Sequence, residues 1–179
     1  FGRGSADVTL GLLGGAGYTG SQVVADTAGE FRGVVALDPK YKGQRRFDCG
    51  VLYTDDPSDL AAVQAAVILT RKGDDIADVV PYFTPGTAVA DDTHTCISPI
   101  VRGELVERGV DLWKAVMADE RLRMFPRMPN FRGDNIPGCL LEAIVVLLRG
   151  REVLKSPEAF FQAATELGFR AELMRHPDD

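Results

Sequence analysis

The sequence predicts an α/β fold, a doubly wound parallel sheet followed by a short C-terminal helical extension. Three observations predict it. Apolar strand-like runs alternate with helix-like segments along most of the 179 residues, the pattern of a parallel sheet covered by helices. A glycine-rich turn, Gly15-Ala16-Gly17-Tyr18-Thr19-Gly20, joins the first apolar run to the first helix-like segment. Residues 136–179, by contrast, read mainly as helix.

The elements follow in order. Val8-Thr9-Leu10-Gly11-Leu12-Leu13 is a buried strand, and Val34-Val35-Ala36-Leu37 is a second one that ends at Asp38. A polar, mobile-looking stretch runs to Asp48, and residues 50–53 form a short strand. Asp56-Pro57 is an N-cap with proline at the first helical position, opening a short helix to about Val63. Ala66-Val67-Ile68-Leu69 is a strand, residues 74–83 a helix stopped by Thr84-Pro85-Gly86, and Thr87-Ala88-Val89-Ala90 a strand. Ser98-Pro99 caps a helix that runs to about Arg108 and stops at Gly109. Residues 117–138 are irregular, punctuated by Pro126, Pro129, Gly133 and Pro137. The helix at 138–149 is apolar nearly all round, so it is expected to be buried on every side. Too little chain follows to surround it, and a second copy packed on it, a homodimer, is the expected cover. Ser156 caps a last helix, and residues 169–174 alternate as a terminal strand. The start, Phe1-Gly2-Arg3-Gly4-Ser5, has neither an initiating Met nor the charge-then-apolar pattern of a signal peptide, and it is expected to be an expression remnant or a truncated N-terminus outside the fold.

The first strand, the G-x-G-x-x-G turn, the helix, the second strand and Asp38 together form the pattern of a dinucleotide site in a Rossmann-like sheet. Gly15 is expected to let the chain turn tightly, Gly17 to let backbone approach a pyrophosphate, and Gly20 to let the helix pack on the strand. Ala16, Tyr18 and Thr19 complete the turn, which ends at the positive end of the helix dipole. Asp38 is placed to accept hydrogen bonds from ribose hydroxyls. A carboxylate there repels a 2′-phosphate and favours NAD, whereas Lys40, Lys42, Arg45 and Arg46 just beyond it favour NADP or are simply a solvated loop. The carboxylate is the nearer group, so the balance leans to NAD.

Composition bounds the function. With 45% apolar and 26% charged residues the chain can bury a real core. A net charge of −6 argues against a broad nucleic-acid face, which needs clustered Lys and Arg. No segment approaches the length of a transmembrane helix, and no metal-ligand spacing stands out. Three scattered cysteines, Cys49, Cys96 and Cys139, suit reduced thiols in a cytoplasmic protein.

A second motif is more particular. Arg127-Met128-Pro129-Asn130 resembles the R-x-M-P-N element of pyrroline-5-carboxylate reductases, one residue shorter inside. The order of elements across residues 6–135 is similar to the N-terminal cofactor domain of the wider superfamily, which includes β-hydroxyacid, 6-phosphogluconate and prephenate dehydrogenases. Residues 138–144 stand where those proteins enter their helical, dimer-forming domain, so the resemblance implies a division into residues 6–135 and 136–179. It implies an NAD(P)-dependent oxidoreductase acting on a small carbonyl, hydroxy or imine substrate, with Asn130 near the nicotinamide or the substrate and Thr70-Arg71-Lys72 near the cofactor ribose and phosphates. The departures are a much shorter helical part and no His-Pro motif of the prephenate dehydrogenase kind.

Ligands of an open parallel sheet lie beyond the carboxyl ends of its strands. Arg71 there reads as a contact to a phosphate or anionic substrate, or as a solvated loop cation. His94 is suited to move the proton that accompanies hydride transfer, with Asp91 or Asp92 to orient it, or else caps loop backbone. Asn130 is equally consistent with a turn after Pro129, and Cys96 reads as a small apolar residue. Two alternatives stay open: a regulatory module that binds a dinucleotide without turnover, and the cofactor domain of a larger enzyme.

Overall fold

The computed structural model describes residues 4–176, and these form two compact units that divide between Trp113 and Lys114. The division expected from the resemblance, residues 6–135 and 136–179, falls later in the chain. The expectation for Phe1-Gly2-Arg3 lies outside the described residues. Ser5 does belong to the fold, because Ser5–Asp7 forms a 3-10 turn and Arg32 N donates to Ser5 O at 3.3 Å.

The first unit opens with β1 (Thr9–Leu13), α1 (Tyr18–Thr27) and β2 (Gly33–Leu37). It continues with β3 (Arg46–Asp48), β4 (Val51–Thr54), β5 (Ala65–Ile68), β6 (Ala88–Asp91) and α2 (Pro99–Glu107). Its strands stand in the order β3-β4-β2-β1-β5-β6. All are parallel except β3, which pairs antiparallel with β4. The chain winds outward from β1 through β2 to β4, then returns to β5 on the other side of β1 and winds outward again. This is the doubly wound, Rossmann-type order, with its switch point between β1 and β5.

The apolar runs are continuous because the sheet is covered on both faces. Successive residues of β2 enter different cores. Val34 and Ala36 join Leu10, Leu12 and Val24 of α1, whereas Val35 and Leu37 join Ile68, Val80, Phe83 and Leu105. Each fully buried Leu or Ile contributes about 1.5–3 kcal/mol.

Caps behave as their chemistry dictates. Asp56 accepts from Ser58 N at 2.9 Å with Pro57 beside it, and Ser98 accepts from Val101 N. Three connections differ from expectation. Pro57–Ala62 and Gly73–Tyr82 are 3-10 runs, the latter with Pro81 inside it. The polar stretch before Asp48 contains β3, which pairs Phe47 with Leu52.

β7 (Asp111–Ala118) ends the first unit and begins the second. The second unit adds β8 (Asn135–Ile136), α3 (Gly138–Arg149), α4 (Pro157–Glu166) and β9 (Arg170–Arg175). β8 and β9 both pair with β7. Ile136, Leu141, Val145, Ala163, Ala164 and Phe169 form its core. Ser156 caps α4 by accepting from Ala159 N at 3.2 Å. The expectation that α3 is buried on every side does not hold in the single chain. Leu141 and Val145 are its buried residues, while Leu147 and Leu148 are 83% and 60% exposed. Among the described residues no helix is long and apolar enough to cross a membrane.

Candidate functional site

The carboxyl ends of β1, β2, β5 and β6 carry four loops of the first unit. The turn after β1 is held by its own backbone. Gly14 N and Gly15 N both donate to Leu37 O, at 2.9 and 3.3 Å, and Gly17 N donates to Gly14 O at 3.0 Å. Gly14, with φ of 92°, is the residue that turns, not Gly15 as the motif suggested. Its neighbour across the switch point is the end of β5, where a Cβ on Gly14 would stand 2.9 Å from Leu69 O.

The three motif glycines then separate by cause. A Cβ on Gly15 would lie 2.9 Å from Ala36 Cβ, so Gly15 lets the turn sit on β2. A Cβ on Gly20 would lie 2.1 Å from Gly14 O, so Gly20 lets α1 rest on the turn itself rather than on the strand. Gly17 is different. Its φ of −71° is ordinary, and a Cβ there would meet Gly14 O at 3.2 Å and no other atom within 4 Å. The fold's own packing asks little of that position, and its side-chain direction is open.

Helical hydrogen bonding of α1 begins with Ser21 N to Gly17 O at 2.9 Å. The N–H groups of Tyr18, Thr19 and Gly20 precede it and have no carbonyl one turn behind them. No acidic residue stands in that first turn. The result is an electropositive helix start beside the open face of Gly17.

Asp38, 7% exposed, follows β2. Its Oδ2 accepts from Ala16 N at 3.0 Å and its Oδ1 from Lys40 N at 2.9 Å, which brings the carboxylate against the glycine turn. Burial, and then the charge of Asp38, push the Tyr41 hydroxyl above its ordinary pKa. Tyr41 packs edge-on against Tyr53, with ring centroids 5.6 Å apart. Of the basic residues beyond Asp38, Arg45 binds Asp59 through Nη2 at 2.8 Å, and Arg46 lies over the Tyr53 ring at 4.5 Å. Lys40 and Lys42 are exposed.

The loops after β5 and β6 hold each other. Gly73 N donates to Thr95 O at 2.7 Å, and a Cβ on Gly73 would strike Ile97 N at 2.2 Å. Ser98 N donates to Asp74 Oδ1 at 2.7 Å. Asp91 is fully buried and turned inward. It accepts from Thr93 N at 2.8 Å, from Thr93 Oγ1 at 2.6 Å and from Ile97 N at 3.4 Å, fixing the base of the loop that presents His94. Thr70 Oγ1 donates to Lys72 O at 2.7 Å. Arg71 and His94 are exposed.

Gly15, Ala16, Gly17, Tyr18, Thr19, Gly20, Asp38, Thr70, Arg71 and His94 thus all lie at one edge of the first unit's sheet. Asn130 belongs to the second unit. It takes a φ of 65° at the corner of a turn in which Phe131 N donates to Met128 O at 3.2 Å, a backbone that asparagine tolerates. Sequence reasoning missed Gly14, masked by the doublet Gly14-Gly15, and Gly73, whose single glycine carries no motif. Among the described residues no group of three His, Cys, Asp or Glu could hold a metal ion.

The fold and this edge together define a Rossmann-type α/β protein. No protein-family model and no curated protein matches the chain. Among solved structures, the apo D-mandelate dehydrogenase of Rhodotorula graminis is similar over 93% of this chain and 47% of its own, at 10% identity and a TM-score of 0.50. The 3-hydroxyisobutyrate dehydrogenase of Mycobacterium tuberculosis shares 20% identity over 62% of this chain and 40% of its own, with a TM-score of 0.48. The NAD-complexed D-isomer specific 2-hydroxyacid dehydrogenase of Lactobacillus delbrueckii ssp. bulgaricus shares 16% identity over 64% and 37%, also at 0.48. The likeness to the mandelate dehydrogenase bears on the fold alone. The chain spans less than half the length of each of these three proteins.

Proposed function

We propose that the chain binds a nicotinamide dinucleotide, NAD or NADP, and acts as an oxidoreductase that transfers hydride to or from a small carbonyl, hydroxy or imine compound. The observation that carries this reading is the open face of Gly17 beside the start of α1, where Tyr18, Thr19 and Gly20 present N–H groups, with the Asp38 carboxylate at the edge of the same turn. Those N–H groups and the helix dipole hold the pyrophosphate. The lone pairs that Asp38 does not spend on Ala16 and Lys40 accept ribose hydroxyls, and its charge repels a 2′-phosphate. With Arg45 tied to Asp59 and Arg46 to Tyr53, the balance favours NAD. When bound, the cofactor supplies the hydride chemistry. Thr70 and Arg71 contribute to the phosphate side or to an anionic substrate. His94 gives or takes the proton at an imidazole nitrogen, its loop anchored by Asp91. The role of Asn130 rests on the R-x-M-P-N resemblance.

A fluorescence titration with NADH and NADPH, followed by a screen of ketones, hydroxy acids and cyclic imines, tests the reading. Micromolar binding that Gly17→Val abolishes, with turnover that His94→Ala lowers, supports it. Failure of both cofactors to bind refutes it. The exposure of His94 favours a second reading, a regulatory module or the cofactor domain of a larger enzyme, for which binding without turnover is the expected result.

A second copy of the chain is the proposed partner, covering Leu147 and Leu148 of α3. Sedimentation equilibrium of Leu147→Glu should then give monomer where the parent gives dimer. The proposed setting is the cytoplasm, which keeps the free thiols of Cys49, Cys96 and Cys139 reduced.

A further inference from the structure

Residues 119–134 of the second unit fold back on themselves. Asp119 N donates to Asp134 O at 3.1 Å and Met124 N to Gly133 O at 3.0 Å. This return encloses an open cleft of about 520 Å³ lined by Glu120, Arg123, Arg127, Arg132, Gly133 and Asp134. Its volume falls in the range of small-molecule sites, about 300–1,000 Å³.

Three of its six lining residues are arginines, in a chain whose net charge is −6. Nearby carboxylates offset part of that charge. Asp119 is taken by Arg121, at 2.9 Å, and Arg170 reaches Glu120 at 3.6 Å. Arg123 Nη1 donates to the carbonyls of Glu120 and Leu122, at 2.6 Å each, which are neutral partners. Among the described residues neither Arg127 nor Arg132 has a carboxylate partner. Arg170 also binds Glu172, so counting Arg123, Arg127, Arg132 and Arg170 against Glu120, Asp134 and Glu172 leaves four positive and three negative charges, a surplus of one.

All three arginine side chains are exposed, and the backbone that carries Arg132 is anchored. Arg132 N donates to Oδ1 of Asn135 at 2.9 Å, and Asn135 is 3% exposed with its Nδ2 on Met174 sulfur at 3.4 Å. Arg127 Nε stands 3.8 Å from where Gly133 would carry a Cβ, so its side chain lies across that glycine. Exposed like charges repel only weakly in water, and an anion that bridges them adds attraction. Guanidinium groups answer carboxylate and phosphate oxygens with paired N–H donors.

We propose that this cleft binds a small dianion, a dicarboxylate or a phosphate monoester group, through Arg127 and Arg132 with Arg123 at its edge. Glu120 and Asp134, which line the same cleft, disfavour longer polyanions. The proposal does not depend on the dinucleotide reading, whose cofactor-binding residues lie in the first unit.

Calorimetric titration of the intact chain with inorganic phosphate and, separately, with succinate at constant ionic strength tests it. The arginine Nε–H resonances report where binding occurs. The expected result is saturable binding of one or both, with shifts at Arg127 and Arg132. The tighter anion assigns the ligand as phosphate-like or dicarboxylate. The double variant Arg127→Gln, Arg132→Gln should keep its circular dichroism and bind at least ten-fold more weakly, whereas Arg151→Gln should bind as the parent does. No saturation with either anion, or undiminished binding by the double variant, would overturn the proposal.

Discussion

Replacing Gly20 by alanine tests the closest approach in the molecule's glycine turn. The new Cβ would stand 2.1 Å from Gly14 O, where real contacts do not fall below 3.0 Å. Either the start of α1 or the turn must therefore shift by about 1 Å, and the obstacle is backbone with no rotamer to yield. Overpacking of this kind costs about 1–3 kcal/mol, and a backbone obstacle puts it at the upper end. Alanine returns up to about 1 kcal/mol of helix propensity. The net loss is about 2 kcal/mol, which for a chain of this length lowers Tm by about 4–8 °C. Gly103, inside α2, is the control, since a Cβ there meets nothing within 4 Å. Gly103→Ala should gain about 0.5–1 kcal/mol. Thermal unfolding followed by circular dichroism reads both variants, and the same chemical change must give opposite signs. A Gly20→Ala variant as stable as the parent would refute the close packing of α1 on Gly14.

Three further expectations follow from single contacts. The raised pKa of Tyr41 means that the folded state favours its neutral phenol, so its contribution is full below the ordinary tyrosine pKa and is lost as pH rises through the folded value. Absorbance titration at alkaline pH should find one late-titrating tyrosine that disappears in Tyr41→Phe. The Asp59 pKa is lowered chiefly by its hydrogen bond to Arg45, so that stability is present above the unfolded carboxylate range and lost as pH falls through the folded value. Urea midpoints at pH 7 and pH 3 should differ less in Arg45→Gln than in the parent, and an unchanged difference would disprove the pairing. Asp38→Ala should weaken NADH more than NADPH in a binding titration, and equal weakening would remove Asp38 from the ribose.

Most of the sheet was legible because strands buried on both faces read as unbroken apolar runs, as in Val34-Val35-Ala36-Leu37. β7 was not. Its residues alternate strictly between buried and half-buried, but Lys114 occupies a buried register position between Leu112 and Val116 and breaks the apolar pattern. The run at 73–82 carries helical spacing, yet spacing does not distinguish a 3-10 from an α ladder, and Pro81 interrupts the α hydrogen bonds. At the site, the glycine motif located the turn correctly but not the division of labour within it. Which of two adjacent glycines takes positive φ depends on the carbonyl of Leu37 and the neighbouring end of β5, partners distant in sequence. The inward turn of Asp91 was hidden for the same reason, since its role is defined by the amide of Ile97 and a loop geometry that no local pattern encodes.

Asp38 is a latch as well as a candidate recognition group. The oxygen that accepts from Ala16 ties the mouth of the turn to the end of β2. Anyone redesigning this chain to accept a phosphorylated ribose would begin by deleting that carboxylate, and would release the Ala16 amide in the same step. Preference and rigidity are therefore written into one side chain. A successful switch requires a second substitution that restores an acceptor for Ala16 without restoring the charge.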